Sequence, residues 1–315
     1  MGERRVRPAI SLIVGLLCVG ALSSCSINQL AVRAAAGFLA GSGQGTVFTG
    51  DDDPELVGAA LPFALKTYEA LLESDPRNAP LALATGRAFV AYAFAFVQAP
   101  SDQLPSDQVE QQRALRLRAK KLFLRGRGYV LQGMEVRRPG FTAALERGDT
   151  AAALGLARRE DADYLYWTAA AWMAAFSADP FDFSLIVAVP RAVSLLQRVD
   201  AWDGSYGAGA VQEILISFYG GAPADLGGGE DKARASFRRA VALSRGLRAG
   251  PYIALATTVS VKNQDAVEFR ELLGKALAID VNADVPDRLV NIINQRRARW
   301  LLDHEGDYFL EGGGE

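Results

Sequence analysis

Leu22-Ser23-Ser24-Cys25 is the stretch of this 315-residue chain whose residue types and spacing best fit a defined covalent chemistry. An aliphatic residue, two small residues and a cysteine form the cleavage pattern of bacterial lipoproteins, in which the thiol takes the lipid and becomes the mature N-terminus. The preceding residues agree with this. Arg4, Arg5 and Arg7 supply a positive start, and Ile10 to Leu22 is apolar. That run falls short of the roughly 20 residues needed to span a bilayer. An uncleaved signal anchor is the alternative. Cleavage would remove Cys18 and leave 291 residues (315 minus 24), with Cys25 as the only cysteine. Neither a disulfide nor a cysteine nucleophile is then expected, even in an exported compartment that permits disulfides.

Other candidate chemistry is sparse. His304 is the single histidine, so neither a metal triad nor a Ser–His pair is suggested, and no Gly-x-Ser-x-Gly elbow is present. Asp51, Asp52 and Asp53 lack the glycine and final glutamate of a calcium loop, and read as the acidic start of a helix with Pro54 in its first turn. The glycines between Gly220 and Gly229 precede a helix and would suit an anion, but lack the Gly-Lys-Ser/Thr ending of a phosphate loop. They read as a connector. No metal and no cofactor is expected. A net charge of −2 argues against general nucleic-acid binding.

Binding is better represented than catalysis. Leu81 to Gln98 is apolar almost all round, with Phe89, Tyr92, Phe94 and Phe96, and Asp161 to Ala178 carries Tyr164, Tyr166, Trp167, Trp172 and Phe176. Rings at helical spacing that cover more than one face either fill a core or line a cavity for an apolar or amphipathic ligand. Val109 to Glu135 is a basic helix, with Arg113, Arg116, Arg118, Lys120, Lys121, Arg125 and Arg127 inside fifteen residues. It offers either a solvated face or, through Arg113, Arg116, Lys120 and Lys121, a surface for an acidic partner or anionic headgroups.

The elements that carry these residues are helical. Half the residues are apolar, alanine and leucine dominate, and alternating β-branched runs are nearly absent, which predicts an all-α fold of about a dozen helices. In LPFALKTYEALLESDPRNAP, Ala64, Tyr68, Leu71 and Pro76 stand 4, 3 and 5 apart. That is the spacing of the second helix of a tetratricopeptide repeat and the proline that ends it. Asn78 is placed to cap the next helix, and Gly86 falls where a small residue lets helices approach. Ala233, Phe237 and Ala240 keep the same spacing, as do Ala192, Leu196 and Val199. One helical pair cannot bury its own apolar face, so a helical-hairpin array of degenerate repeats is expected.

Four segments follow: a signal peptide over 1–24, a lipidated N-terminus with a helix and glycine tether over 25–50, a helical domain over 51–310, and a tail over 311–315. The stretches VFTGDDDPELV, ALPFALKTYEALLESDP, AYAFAFV, YLYWTAAAW, LLQRVDAWDGSYGAGA, LGGGEDKARASFRRAVALS and NQRRARWLLDHEGDYF together resemble the TatT (T-component) lipoproteins associated with TRAP transporters. The resemblance spans nearly all of the mature chain. It implies a lipid-anchored periplasmic protein, and the sparse catalytic chemistry noted above points away from an enzyme. The resemblance also implies binding to the extracytoplasmic (DctP-like) solute-binding protein of a TRAP transporter, self-association with a trimer as one arrangement, and a cleft or pore through the helices, which would suit a hydrophobic or organic-acid solute. Tyr92, Tyr166, Trp167, Gly207, Asn291 and Arg297 lie in the matching stretches, where a motif marks packing as readily as ligand contact. A scaffold lipoprotein of envelope assembly and a helical hydrolase are the competing functions.

Overall fold

The computed structural model describes residues 46–105 and 107–310. The lipidation site Cys25, the signal peptide, the helix expected at 26–39 and the tail at 311–315 lie outside the described residues. Within them the chain is an all-α array of twelve helices with no strands.

Helix α1 (Pro54–Ser74) starts as its acids predict: Asp51 accepts the Asp53 amide at 2.8 Å, and Asp53 caps Leu56 at 2.9 Å. Its buried face is Leu61, Leu65, Tyr68 and Leu72, rotated by one position from the expected Ala64, Tyr68 and Leu71. Leu65 and Leu72 remove more apolar area from water than Ala64 can, so the larger side chains set the face. Pro76 follows the end of α1, and Asn78 caps α2 (Ala79–Asp102) by accepting the Leu81 amide at 3.0 Å. Helix α2 is long and apolar enough to cross a membrane by composition alone. Here its Leu81, Ala82, Phe89, Val90 and Ala93 are buried against neighbouring helices, which makes it a central helix of the array. It widens into a π turn at Phe94–Gln98.

Helix α3 (Val109–Arg137) crosses α2 at glycines. A Cβ on Gly86 would sit 2.6 Å from the Gly126 carbonyl, and one on Gly126 would sit 2.8 Å from the Gly86 carbonyl. Only residues without Cβ allow this approach. Two short helices, α4 (Phe141–Glu146) and α5 (Thr150–Leu156), are split at Gly148 (φ 85°), with Asp149 capping α5. Helices α6 (Ala162–Ala178) and α7 (Phe183–Trp202) continue the array. Then come α8 (Ala210–Gly221), α9 (Glu230–Leu243), α10 (Gly250–Leu255) with a π turn over Ala256–Ser260, α11 (Ala266–Leu277) and α12 (Arg288–Asp303). Ala192, Leu196, Val199, Ala233 and Ala240 are all buried at helix contacts.

Successive helices pack side by side, and the last returns to the first. The Leu289 amide donates to the Thr49 carbonyl at 2.9 Å, and Arg288 donates to the Gly50 carbonyl at 3.0 Å. Val57 and Leu61 of α1 bury against Leu289 and Ile293 of α12. The helices therefore form a closed circuit.

Candidate functional site: a polar chamber inside the helical circuit

The aromatic helix α6 divides its rings between two environments. Tyr164 and Trp172 are buried in the core, while Tyr166 and Trp167 keep solvent-accessible surface. Tyr166 meets Trp167 edge-on at 5.3 Å and lies 4.9 Å from the ring of Tyr206. Tyr206 begins a tight turn, Tyr206–Gly209, ahead of α8. The sequence suggests a helix from Gly207. Instead Gly207 (φ 55°), Ala208 (φ 51°) and Gly209 (φ 96°) are left-handed, and α8 starts at Ala210. Glycine adopts this conformation freely, whereas Ala208 is strained there, and such strain concentrates at functional sites. The turn directs the Gly207 carbonyl to Arg248, which donates to it.

Arg248 is held from both sides. Its Nε and Nη2 donate to Asp287 at 2.5 and 2.9 Å, a paired contact of guanidinium and carboxylate. The segment that carries it is clamped by Asn291, which is buried. The Asn291 side chain accepts the Ala249 amide at 3.0 Å and donates to the Leu247 carbonyl at 2.8 Å. Asn291 thus positions the Arg248 segment through backbone contacts, and its amide is already engaged on both sides.

Glu213 of α8 faces the same interior. Its carboxyl lies against Gly250, where a Cβ would collide with it, and it takes no hydrogen bond among the described residues. Burial raises its pKa, with Arg248 opposing and Asp287 reinforcing the shift. Burial likewise raises Tyr166, with the charge of Glu213 adding to it. Tyr206 is raised by burial and by the Asp163 carboxylate, to which its hydroxyl donates at 2.5 Å. Tyr166 and Glu213 lie deep among protein atoms and are still reached by solvent, and Gly207 and Ala208 are exposed. Groups that are both deeply enveloped and solvent-accessible face a recess between the helices, here called the chamber. At its edge the Arg87 guanidinium of α2 stands 5.3 Å over the Trp167 ring, with no ion pair or hydrogen bond among the described residues.

The sequence candidates divide accordingly. Tyr166, Trp167 and Gly207 converge on the chamber, and Asn291 supports it from behind. Tyr92 lies elsewhere: it lines a surface pocket of about 400 Å³ with Phe96, Ile293 and Arg296, and its hydroxyl accepts from Arg118 at 3.4 Å. Arg297 is partly exposed beside Tyr308, whose hydroxyl burial raises and the Arg297 charge pulls down. His304 stacks on Trp300 at 4.3 Å, with Nδ1 2.9 Å from that residue's carbonyl. The glycine loop is a connector: the Gly229 amide donates to the Tyr219 carbonyl, and Lys232 donates to the Gly227 carbonyl.

The basic face of α3 is largely neutralised within the chain. Lys120 sits between Asp179 (2.7 Å) and Asp182 (2.5 Å), and Arg116 pairs with Asp102 at 3.0 Å. Arg125 pairs with Glu69, and Arg127 pairs with Glu146 at 2.8 Å. Those charges join helices. Of the four candidates for a basic partner surface, Arg113 and Lys121 stay exposed without an ion pair among the described residues.

Residues 50–309 match the family model described as TRAP transporter T-component. The chain is also 37% identical over 312 residues to a protein of Treponema pallidum (strain Nichols) named only as uncharacterized, with 94% of this chain and 95% of that relative covered. The family is one of transporter components and not of enzymes. On the match across its helical circuit, this chain belongs to the TRAP transporter T-component family.

Proposed function

We propose that this T-component is a periplasmic lipoprotein, anchored through Cys25, that binds the solute-binding protein of its TRAP transporter. Its interior receives a hydrophobic or organic-acid solute during uptake. The observation that carries this is the solvent-accessible recess: a helical array built only to scaffold would close Tyr166 and Glu213 off from solvent, or pair them. Exposed apolar side chains support a protein partner. Leu56 and Phe63 leave an apolar stripe on α1, and Phe181 and Phe183 are exposed at the start of α7. Exposed large apolar side chains, where they group, mark contact sites on soluble proteins.

The test is capture from membranes. Full-length protein carrying a C-terminal tag is expected to retain the solute-binding protein after mild detergent extraction. Retention of an outer-membrane barrel protein in its place would favour the envelope-assembly scaffold.

A further inference from the structure

The two ends of the chamber offer opposite chemistry. At the deep end the polar groups left available can all accept, the Tyr166 hydroxyl, unpartnered among the described residues, also keeping a proton to donate. The proton of the Tyr206 hydroxyl is directed to Asp163, which leaves the Tyr206 oxygen free to accept. The Glu213 carboxyl has no donor among the described residues, and neither does the Tyr166 hydroxyl. The cation beside Glu213, Arg248, has its Nε, Nη1 and Nη2 directed to Asp287 and Gly207, so it adds little donor capacity. Ring faces complete the surface: Tyr166 and Tyr206 lie 4.9 Å apart, and Trp167 already carries a guanidinium on its face. Aromatic faces beside carboxylates attract a cationic nitrogen. At the edge, Arg87 offers free donors in the fork geometry that suits a carboxylate.

We infer that the chamber binds a small zwitterion, its cationic nitrogen held by Tyr166, Tyr206 and Glu213 and its carboxylate by Arg87. This deepens the solute reading given above and rests on it: the organic acid would also carry an amine or quaternary nitrogen. Arg87 and Glu213 stand in different helices, so one ligand would tie α2 to α8 across the interior. Neither end alone supplies that tie.

Three probes of nearly one shape separate the contributions. Trimethylglycine carries both charges, choline keeps the cation without the carboxylate, and 3,3-dimethylbutyrate keeps the carboxylate with carbon in place of nitrogen. Calorimetric titration of the lipid-free chain is expected to show saturable binding of trimethylglycine. Each of the other two should bind at least about tenfold more weakly. Glu213→Gln should lose most of the preference for trimethylglycine over 3,3-dimethylbutyrate. Arg87→Gln should lose most of the preference for trimethylglycine over choline. Binding of 3,3-dimethylbutyrate as tight as that of trimethylglycine would overturn the inference. So would trimethylglycine binding that neither substitution alters, or no saturation by about 10 mM. Capture of the solute-binding protein is measured in parallel. If capture persists while all three probes fail, the zwitterion site falls and the partner role stands.

Discussion

The carboxyl of Glu213 fills the space that a side chain on residue 250 would need, and Gly250 leaves that space open. A charge-bearing group is thereby lodged against the start of α10 without a hydrogen-bond donor among the described residues. Such placement costs the fold free energy, because burial without a partner disfavours the charged form.

The sign of that cost sets a first prediction. A carboxyl whose pKa is raised from 4.5 holds its proton more tightly folded than unfolded. Stability is therefore lost as pH climbs from the unfolded value through the folded one, and stays lower at neutral pH. Arg248, Asp287 and Tyr166 face this group and act on it throughout. Glu213→Gln is expected to unfold at a higher temperature than the parent at pH 7, with the gap closing toward pH 4. Thermal melts across that range check it, and an equal or lower melting temperature at pH 7 would contradict it.

Asp161 shows the opposite case. It has no exposed surface and accepts from Arg137 and Arg138 at 2.7 Å each, and from the Arg158 amide at 3.0 Å. Burial alone would raise its pKa, but these donors outweigh burial and hold it below the usual carboxylate value. Its contribution is present above the unfolded pKa and is lost as pH falls through the folded one. Asp161→Asn leaves the Arg137 and Arg138 guanidinium groups with exposed Glu160 as their remaining carboxylate. A loss of about 2 to 4 kcal/mol is expected in urea unfolding at pH 7, shrinking in acid. A change within error at pH 7 would remove Asp161 as the tie between α3 and α6.

The two tryptophans of α6 make a matched pair. Trp172 is buried, so Trp172→Ala should cost about 3 to 5 kcal/mol. Trp167 keeps solvent-accessible surface on the chamber wall, and Trp167→Ala should cost clearly less. Equal losses in denaturant unfolding would mean that Trp167 is core and that the chamber wall is misassigned.

Anchoring is tested chemically. The Leu22-Ser23-Ser24-Cys25 pattern predicts that Cys25→Ala abolishes metabolic labelling with a radiolabelled fatty acid such as palmitate and leaves the precursor uncleaved. Undiminished labelling would refute lipidation at this residue.

The helices were legible in the sequence because their stop and start signals are local. Pro76, Asn78, Gly148-Asp149 and Asp179-Pro180 each fix a boundary through backbone chemistry that needs no tertiary context. The buried face of α1 lies one position from the face that local spacing predicts, because which neighbour demands the larger side chain is a tertiary fact. The chamber was half legible. Tyr166 and Trp167 stood out by ring content, while Arg87 and Glu213 did not, although each is the lone charge of an otherwise apolar helical run. That pattern was the available signal. The left-handed turn at Gly207 and Ala208, and the ion pairs that join Lys120 to Asp179 and Asp182, depend on partners 41 to 62 residues away. Local spacing cannot show them.

Direct engagement of the solute-binding protein of a TRAP transporter, proposed above for this T-component, is open to one measurement. Calorimetric titration of the lipid-free chain, starting at Ser26, with that purified solute-binding protein tests it without membrane or detergent. Saturable binding with a fixed stoichiometry and a Kd of about 10 μM or tighter is expected. Heats no larger than dilution with both proteins at about 100 μM would contradict the claim.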